Sequence, residues 1–354
     1  MKPEMICLTV LAAWLITSAV LADEVTLSGW GIDERNLDTC MADAEAVGFD
    51  ALITWNTDPA ALVKIVQAAA PHGIKVFSSI APMGRLGKLW TDTYPDRPVP
   101  WQVMSEDEEA ALNFISAGDN RYLIPYQWGG EPAMTNEVLT TKTICFSSPE
   151  GRDLLQRMID GIVSVPGLEG MAFDGFGYQN YRCCHCDRCQ GLLAEFRAAH
   201  PDMPEDEAEV TFFRDLLVGY INGLADYARS KRPEIKTTIH IWPVFAPEPL
   251  YGNWLDLDYC GQTAAWYTLW PEEKIAQYSR VISGEANRYF ERQQGVGMMG
   301  YYDNRRGFPV KDAACVDMEL RTMIENGCRR IQVCSGLDVM KNAEVAAVFS
   351  RYCK

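Results

Sequence analysis

Eight short runs rich in β-branched and aromatic residues recur along this 354-residue chain, and amphipathic helical stretches fall between most of them. Strand–helix alternation of that kind builds a parallel sheet, because each helix carries the chain back across the sheet and covers its face. The runs are Val25–Trp30, Ala51–Trp55, Lys75–Ile80, Gly170–Asp174, Thr237–Trp242, Leu257–Gln262, Val296–Tyr302 and Arg330–Ser335. An open doubly wound sheet and a closed barrel both use this alternation. The count of eight, with no glycine-rich turn after the first run, favours closure. The expected fold is therefore an α/β protein, a (β/α)8 TIM barrel forming one domain.

Helices are expected near Asp38–Val47, Pro59–His72, Pro271–Gln293, Asp312–Asn326 and Asn342–Tyr352, and a long one carries Val210, Phe213, Leu217, Tyr220, Leu224 and Tyr227 on one face at spacings of three and four. Ser147 and Glu150 have capping-box spacing ahead of the buried stripe Leu154, Leu155, Met158, Ile159 and Ile162. About 65 residues separate Ile80 from that helix, too many for an ordinary connection. They read as an elaborated third βα loop holding a short helix at Asp107–Ser116.

The amino terminus has the pattern of a secretory signal peptide. Lys2 precedes the apolar run Met5 to Val20, and Val20-Leu21-Ala22 places small residues at a cut before Asp23. The run falls short of the roughly 20 apolar residues a membrane span needs. Residues 1–22 are thus expected to leave, and 23–354 to form the barrel domain of a secreted or periplasmic protein with no membrane attachment after cleavage. A net charge of -16 makes nucleic acid and anionic membrane poor partners and suits a neutral substrate.

Twelve cysteines in an exported chain point to disulfides or a metal. Cys184, Cys186 and Cys189 form a C-x-C-x₂-C run preceded by Cys183, on the loop after the fourth strand. Thiols this close pair with one another only in strained short loops, but they converge readily on one tetrahedral zinc ion if a fourth ligand arrives from elsewhere. Cys145 is a good candidate, with Cys183 and His185 in competition; a disulfide-tied loop is the alternative. Four thiolates would close the shell, leaving a structural role.

Cys145-Phe146-Ser147-Ser148-Pro149, an apolar strand ending in an acid, and then the C-x-C-x₂-C run together resemble the zinc-bearing region of glycoside hydrolase family 42, the β-galactosidase family on a clan A barrel. The resemblance covers about Thr143–Phe196. It implies Cys145, Cys184, Cys186 and Cys189 as zinc ligands and a carbohydrate substrate. That family ends its fourth strand with Asn-Glu, the Glu being the acid/base. Here Gly175 and Phe176 stand in that place, so the family's acid/base is not carried over.

Barrel chemistry sits at the carboxyl ends of the strands. Asp174 on strand four, Asp303 after strand seven and Glu248 after strand five are the candidate catalytic carboxylates, since glycosidic cleavage needs two acids flanking the bond. Asp33 and Glu34 follow strand one. Trp30, Trp55, Trp242, Trp266 and Tyr302 fall at or just past expected strand ends, where an aromatic plane packs on the C–H face of a sugar; Asn56, His240 and Gln262 are candidate hydrogen-bonding partners of its hydroxyls. With only four histidines, a paired-histidine metallohydrolase centre is disfavoured, and no G-x-S-x-G elbow is present. The expected function is hydrolysis of a polysaccharide or oligosaccharide by paired carboxylates. The alternative is a barrel that binds carbohydrate without cleaving it.

Overall fold

The structure, a computed structural model, describes residues 25–107, 142–180, 182–241, 254–267, 269–285, 289–301 and 310–353, together with the backbone of 122–128 and 131–135. Eight parallel strands close into a barrel: β1 (Thr26–Trp30), β2 (Ala51–Thr54), β3 (Lys75–Ile80), β6 (Gly170–Phe173), β7 (Lys236–Ile241), β8 (Tyr259–Ala265), β9 (Gln294–Gly300) and β10 (Arg330–Cys334). The expected (β/α)8 architecture is what the chain adopts. β4 (Tyr122–Trp128) and β5 (Glu131–Thr135) make a separate antiparallel pair within the third connection.

The ring of helices follows from local sequence. α1 (Leu37–Val47) ends at Gly48, whose φ of 94° supplies the left-handed turn. α2 (Pro59–Ala69) starts on Asp58, which accepts from Ala61 N, with Pro59 in the first turn. α3 (Arg85–Thr93) follows β3 directly, although the sequence reading placed no helix there. Its signal is weak because no side chain caps it, and Gly87 sits mid-helix where a Cβ would lie 2.4 Å from the Trp101 ring. The helix expected at Asp107–Ser116 lies almost wholly outside the described residues.

α4 (Pro149–Val163) corrects the capping expectation. Ser148, not Ser147, accepts from Gly151 N and opens the helix. Ser147 is instead drawn toward Cys145 Sγ, 3.1 Å from its hydroxyl. After β6 come α5 (Asp187–Ala199) and the long α6 (Glu205–Lys231). Phe213, Leu217, Tyr220 and Leu224 face the core as expected, but Val210 is 39% exposed, the opening turn burying Ala208 instead.

β8 begins later than the sequence suggested. Asp258 accepts from the backbone N–H and hydroxyl of Thr237 and pairs with Lys236 at 3.0 Å, so the chain is pinned to β7 before the strand starts. This shift moves Gln262 from strand end to mid-strand. α7 spans Glu272–Glu285, well short of the run expected to reach Gln293. α8 (Ala313–Glu325), capped by Asp312, and α10 (Ala343–Tyr352), capped by Asn342, match expectation. α9 (Gly336–Lys341) is an additional short helix after β10.

Two features bind the ring together. Lys311 and Glu319 form an ion pair at 2.8 Å with side-chain exposures of 2% and 0%; Lys311 also donates to the carbonyls of Gly300 and Trp266, tying the ends of β9 and β8 to α8. The barrel closes between β1 and β10, where Thr26 pairs with Arg330 and Gly29 with Val333. Outside that seam, Ser350 Oγ donates to the Ala46 and Val47 carbonyls, clasping α10 to α1. Among the described residues, no helix is long and apolar enough to cross a membrane.

Candidate active-site mouth and cysteine cluster

Asp174 stands at the carboxyl end of β6, its backbone N–H extending the ladder to Ile80 O at 3.0 Å. Gly175 then turns with φ of 66°, so this turn needs glycine on conformational grounds, while a Cβ there would meet only the flexible end of Met83. The carboxylate is held on two sides. Trp55 Nε1 donates to Oδ2 at 3.1 Å, and His240 Nδ1 lies 3.4 Å from Oδ1. Burial pushes the Asp174 carboxyl upward, but the hydrogen bond and charge of His240, with the indole of Trp55 and the N–H of Gly175, outweigh it and hold the group below the ordinary aspartate value. Asp174 is therefore an anion at neutral pH, 18% exposed.

Tilted aromatic rings pack around this carboxylate and its partners. Trp30 lies 5.6 Å from Trp55 and 5.8 Å from His240, and His240 lies 5.2 Å from Trp266. Only Trp55 is open to solvent, at 47%. Trp30 and Trp266 are buried, as is Gln262 in its mid-strand position, so these three support the mouth from beneath rather than line its surface. Asn56 is half-buried and donates to Glu34 Oε2 at 2.7 Å, while Thr54 donates to Glu34 Oε1 at 3.1 Å. Arg85 donates to the Trp55 carbonyl at 3.1 Å.

The structure thus brings Asp174, Trp55, Asn56 and His240 together with Trp30 and Trp266. Glu248, Asp303, Trp242 and Tyr302 lie outside the described residues. Sequence reading did not foresee Arg85, which belongs to an unforeseen helix. Nor did it foresee the pairing of His240 with Asp174, since they lie on separate strands and a single histidine carries no spacing signal.

The second site is the cysteine cluster on the outer side of β6. Cys145 precedes α4, and Cys184, Cys186 and Cys189 run into α5. Their Sγ atoms all lie within 4.8 Å of one another, with Cys145 at 3.3 Å from Cys189 and 3.7 Å from Cys186. Four sulfurs at about 2.3 Å from a common centre would stand a little under 4 Å apart, whereas a disulfide needs about 2.05 Å. The eleven cysteines among the described residues are all thiols. The donor set fits a metal ion, and these four residues can hold one.

Hydrogen bonds from Cys184 and Cys189 hold the Cys145 thiol far below its usual range, and the same contacts push Cys184 and Cys189 up, as expected where neighbouring thiols share one negative charge. Cys183, the fifth cysteine, turns to His185 Nε2 at 3.4 Å and stays out of the set. The lobe is seated by the base of the third connection: Val103 N donates to Cys184 Sγ, His185 N donates to Val103 O, and Gln102 accepts from Gln179 N. Phe146, Phe176, Tyr178 and Tyr220 pack behind it, with ring centroids 5.2 to 6.4 Å from Phe146.

No protein-family profile matches the sequence, and no curated protein sequence matches it. Solved structures do. A β-galactosidase from Rahnella sp. R3 superposes with a TM-score of 0.61 at 14% identity, over 93% of this chain and 56% of that one. A β-N-acetylhexosaminidase from Bacteroides fragilis gives 0.52 at 10% identity over 93% and 65%. An endo-β-1,4-mannanase from Thermotoga petrophila gives 0.50 at 9% identity over 94% and 76%. These neighbours are glycoside hydrolases on TIM barrels. At such identities the likeness establishes the fold, and the chain spans little more than half the length of the β-galactosidase.

Proposed function

We propose that this chain is an exported glycoside hydrolase-like barrel, related to family 42, that cleaves a polysaccharide or oligosaccharide at the carboxyl-end mouth. The observation that carries the reading is the contact between Asp174 and Trp55: a fixed carboxylate bonded to the edge of a solvent-open indole. A sugar ring laid on that indole has its C–H face covered and its ring substituents beside an anion. Because Asp174 is held ionised, its role in such a reaction is nucleophile or base. The proton donor comes from a second acid, for which Asp303 and Glu248 are the candidates. Trp55 and Asn56 contact substrate, Trp242 and Tyr302 are further candidate contacts from the sequence, and His240 orients Asp174. The buried Trp30, Gln262 and Trp266 hold the mouth in shape.

The cysteine cluster takes zinc in this reading. Sulfur donors and near-tetrahedral spacing suit that ion, and a complete thiolate shell gives it a structural role. The leader at 1–22 directs the chain to the periplasm or the exterior. The expected partner is a neutral carbohydrate, with nucleic acid and membrane disfavoured by the charge of -16.

A second reading, a carbohydrate-binding barrel without catalysis, is favoured by one observation: Asp174 is tied on both oxygens and no glutamate follows it. Chromogenic glycosides separate the two. Hydrolysis by the wild type that falls at least about 100-fold in Asp174→Asn supports the enzyme, in line with the loss of one acid–base group. Hydrolysis indifferent to the substitution removes Asp174 from the reaction. Retention of oligosaccharides on affinity gels without turnover supports the binding barrel.

A further inference from the structure

The opposite end of the barrel carries a second opening. TIM barrels usually fill their interior with bulky branched side chains, but here the amino-terminal half has Thr26, Ser28 and Ala51 on its inner wall. The space left is a cavity of about 210 Å3 opening on the amino-terminal face, away from Asp174. That is about seven times the roughly 30 Å3 share of one liquid water, and smaller than pockets for drug-sized ligands.

Its lining specifies a chemistry. Thr238 and Gln332 face the cavity at 2% and 3% exposure, and Thr238 Oγ1 and Gln332 Oε1 meet no hydrogen-bond partner among the described residues. Buried polar atoms left so are costly, and an apolar occupant would leave them that way. The same lining includes the Phe77 and Tyr259 rings, 6.3 Å apart and edge to face, with Tyr259 in register beside Thr238. The charges at the rim are already engaged. Lys75 pairs with Glu169 at 3.6 Å, Asp50 accepts from Leu27 N at 2.7 Å, and Arg330 bonds Thr26 and Gln294 while stacking 5.2 Å over Tyr259.

We propose that this cavity is a binding site for a small neutral polyol of about monosaccharide size, with hydroxyls on Thr238 and Gln332 and its carbon face against Phe77 and Tyr259. The site is separate from the mouth and does not depend on catalysis there.

Saturation-transfer NMR with xylitol and D-glucose as probes tests it on the full chain. The wild type is expected to give a signal that persists in Asp174→Asn. In the Thr238→Val/Gln332→Leu variant, apparent affinity is expected to fall about tenfold or more, as loss of two hydrogen bonds entails. Should that variant unfold, Ala51→Leu fills the cavity from its apolar wall without removing a hydrogen bond and is expected to give the same loss. Absence of signal for both probes with the wild type overturns the proposal, as does equal binding by the wild type and the cavity variants, or a signal lost only in Asp174→Asn.

Discussion

The cysteine lobe and the Asp174 mouth flank the same strand, yet they are built in opposite ways. The lobe draws three of its four sulfur donors from six consecutive residues and the fourth from just before the neighbouring helix, so its geometry is mostly local. The mouth draws Trp55, Asp174 and His240 from the ends of three strands, with Trp55 and its carboxylate partner 119 positions apart in the chain. A local site depends on its ligand set. A dispersed site depends on the barrel that carries it, and the two should fail differently when perturbed.

The largest effect is expected at the lobe. Cys184→Ser should abolish stoichiometric metal, read by elemental analysis, and lower the melting temperature by several degrees or more, since metal affinity is folding free energy in such a site. Next comes the mouth's scaffold. Lys311→Met leaves the carboxylate of Glu319, whose pKa burial already raises, alone in the interior. A loss of about 3–5 kcal/mol in chemical denaturation is expected, largely recovered in Lys311→Met/Glu319→Leu. If the two sites are as separable as their construction implies, that loss leaves metal content unchanged; metal lost along with it would break the contrast.

The smallest effect sharpens the mouth itself. Trp55→Phe keeps the ring and removes the N–H donated to Asp174, so the carboxyl should rise toward its ordinary value. A depressed carboxylate contributes stability that is present above its unfolded value of 3.8 and disappears as pH falls through the lower folded value. The stability gap between wild type and Trp55→Phe should thus be about 1 kcal/mol at neutral pH and close in strong acid. A gap that persists unchanged in acid would assign the effect to packing.

The same contrast explains what could be read in advance. Strand–helix alternation fixed the barrel, and close spacing fixed Cys184, Cys186 and Cys189, because both signals are local in sequence. Cys145 was legible from its place just before the capped helix beside the fourth strand, and from the motif around it. Boundaries slipped where a tertiary contact overrode the local pattern: Asp258 delays β8, and the cysteine cluster takes Ser147 away from the cap of α4. That slip is why Gln262 lies inside rather than at the rim. Asp174 was legible as a strand-end acid, but its partners Trp55 and His240 were legible only as separate candidates. Their convergence is a product of closure, which no local spacing records. Trp30 and Trp266 show the same limit: their positions at strand ends were readable, whereas burial depends on which neighbours fold over them.

The seam between β1 and β10 joins residues about 300 apart in the chain. Until the segment beginning at Arg330 is made, β1 has an unpaired edge, and the clasp from Ser350 to the end of α1 cannot form. Contacts this distant are assembled late, after most of the chain has collapsed, and an open sheet edge is a template for association with other chains. The nascent protein consequently has its greatest need of chaperone protection in the interval before its last barrel strand and the helices after it are available.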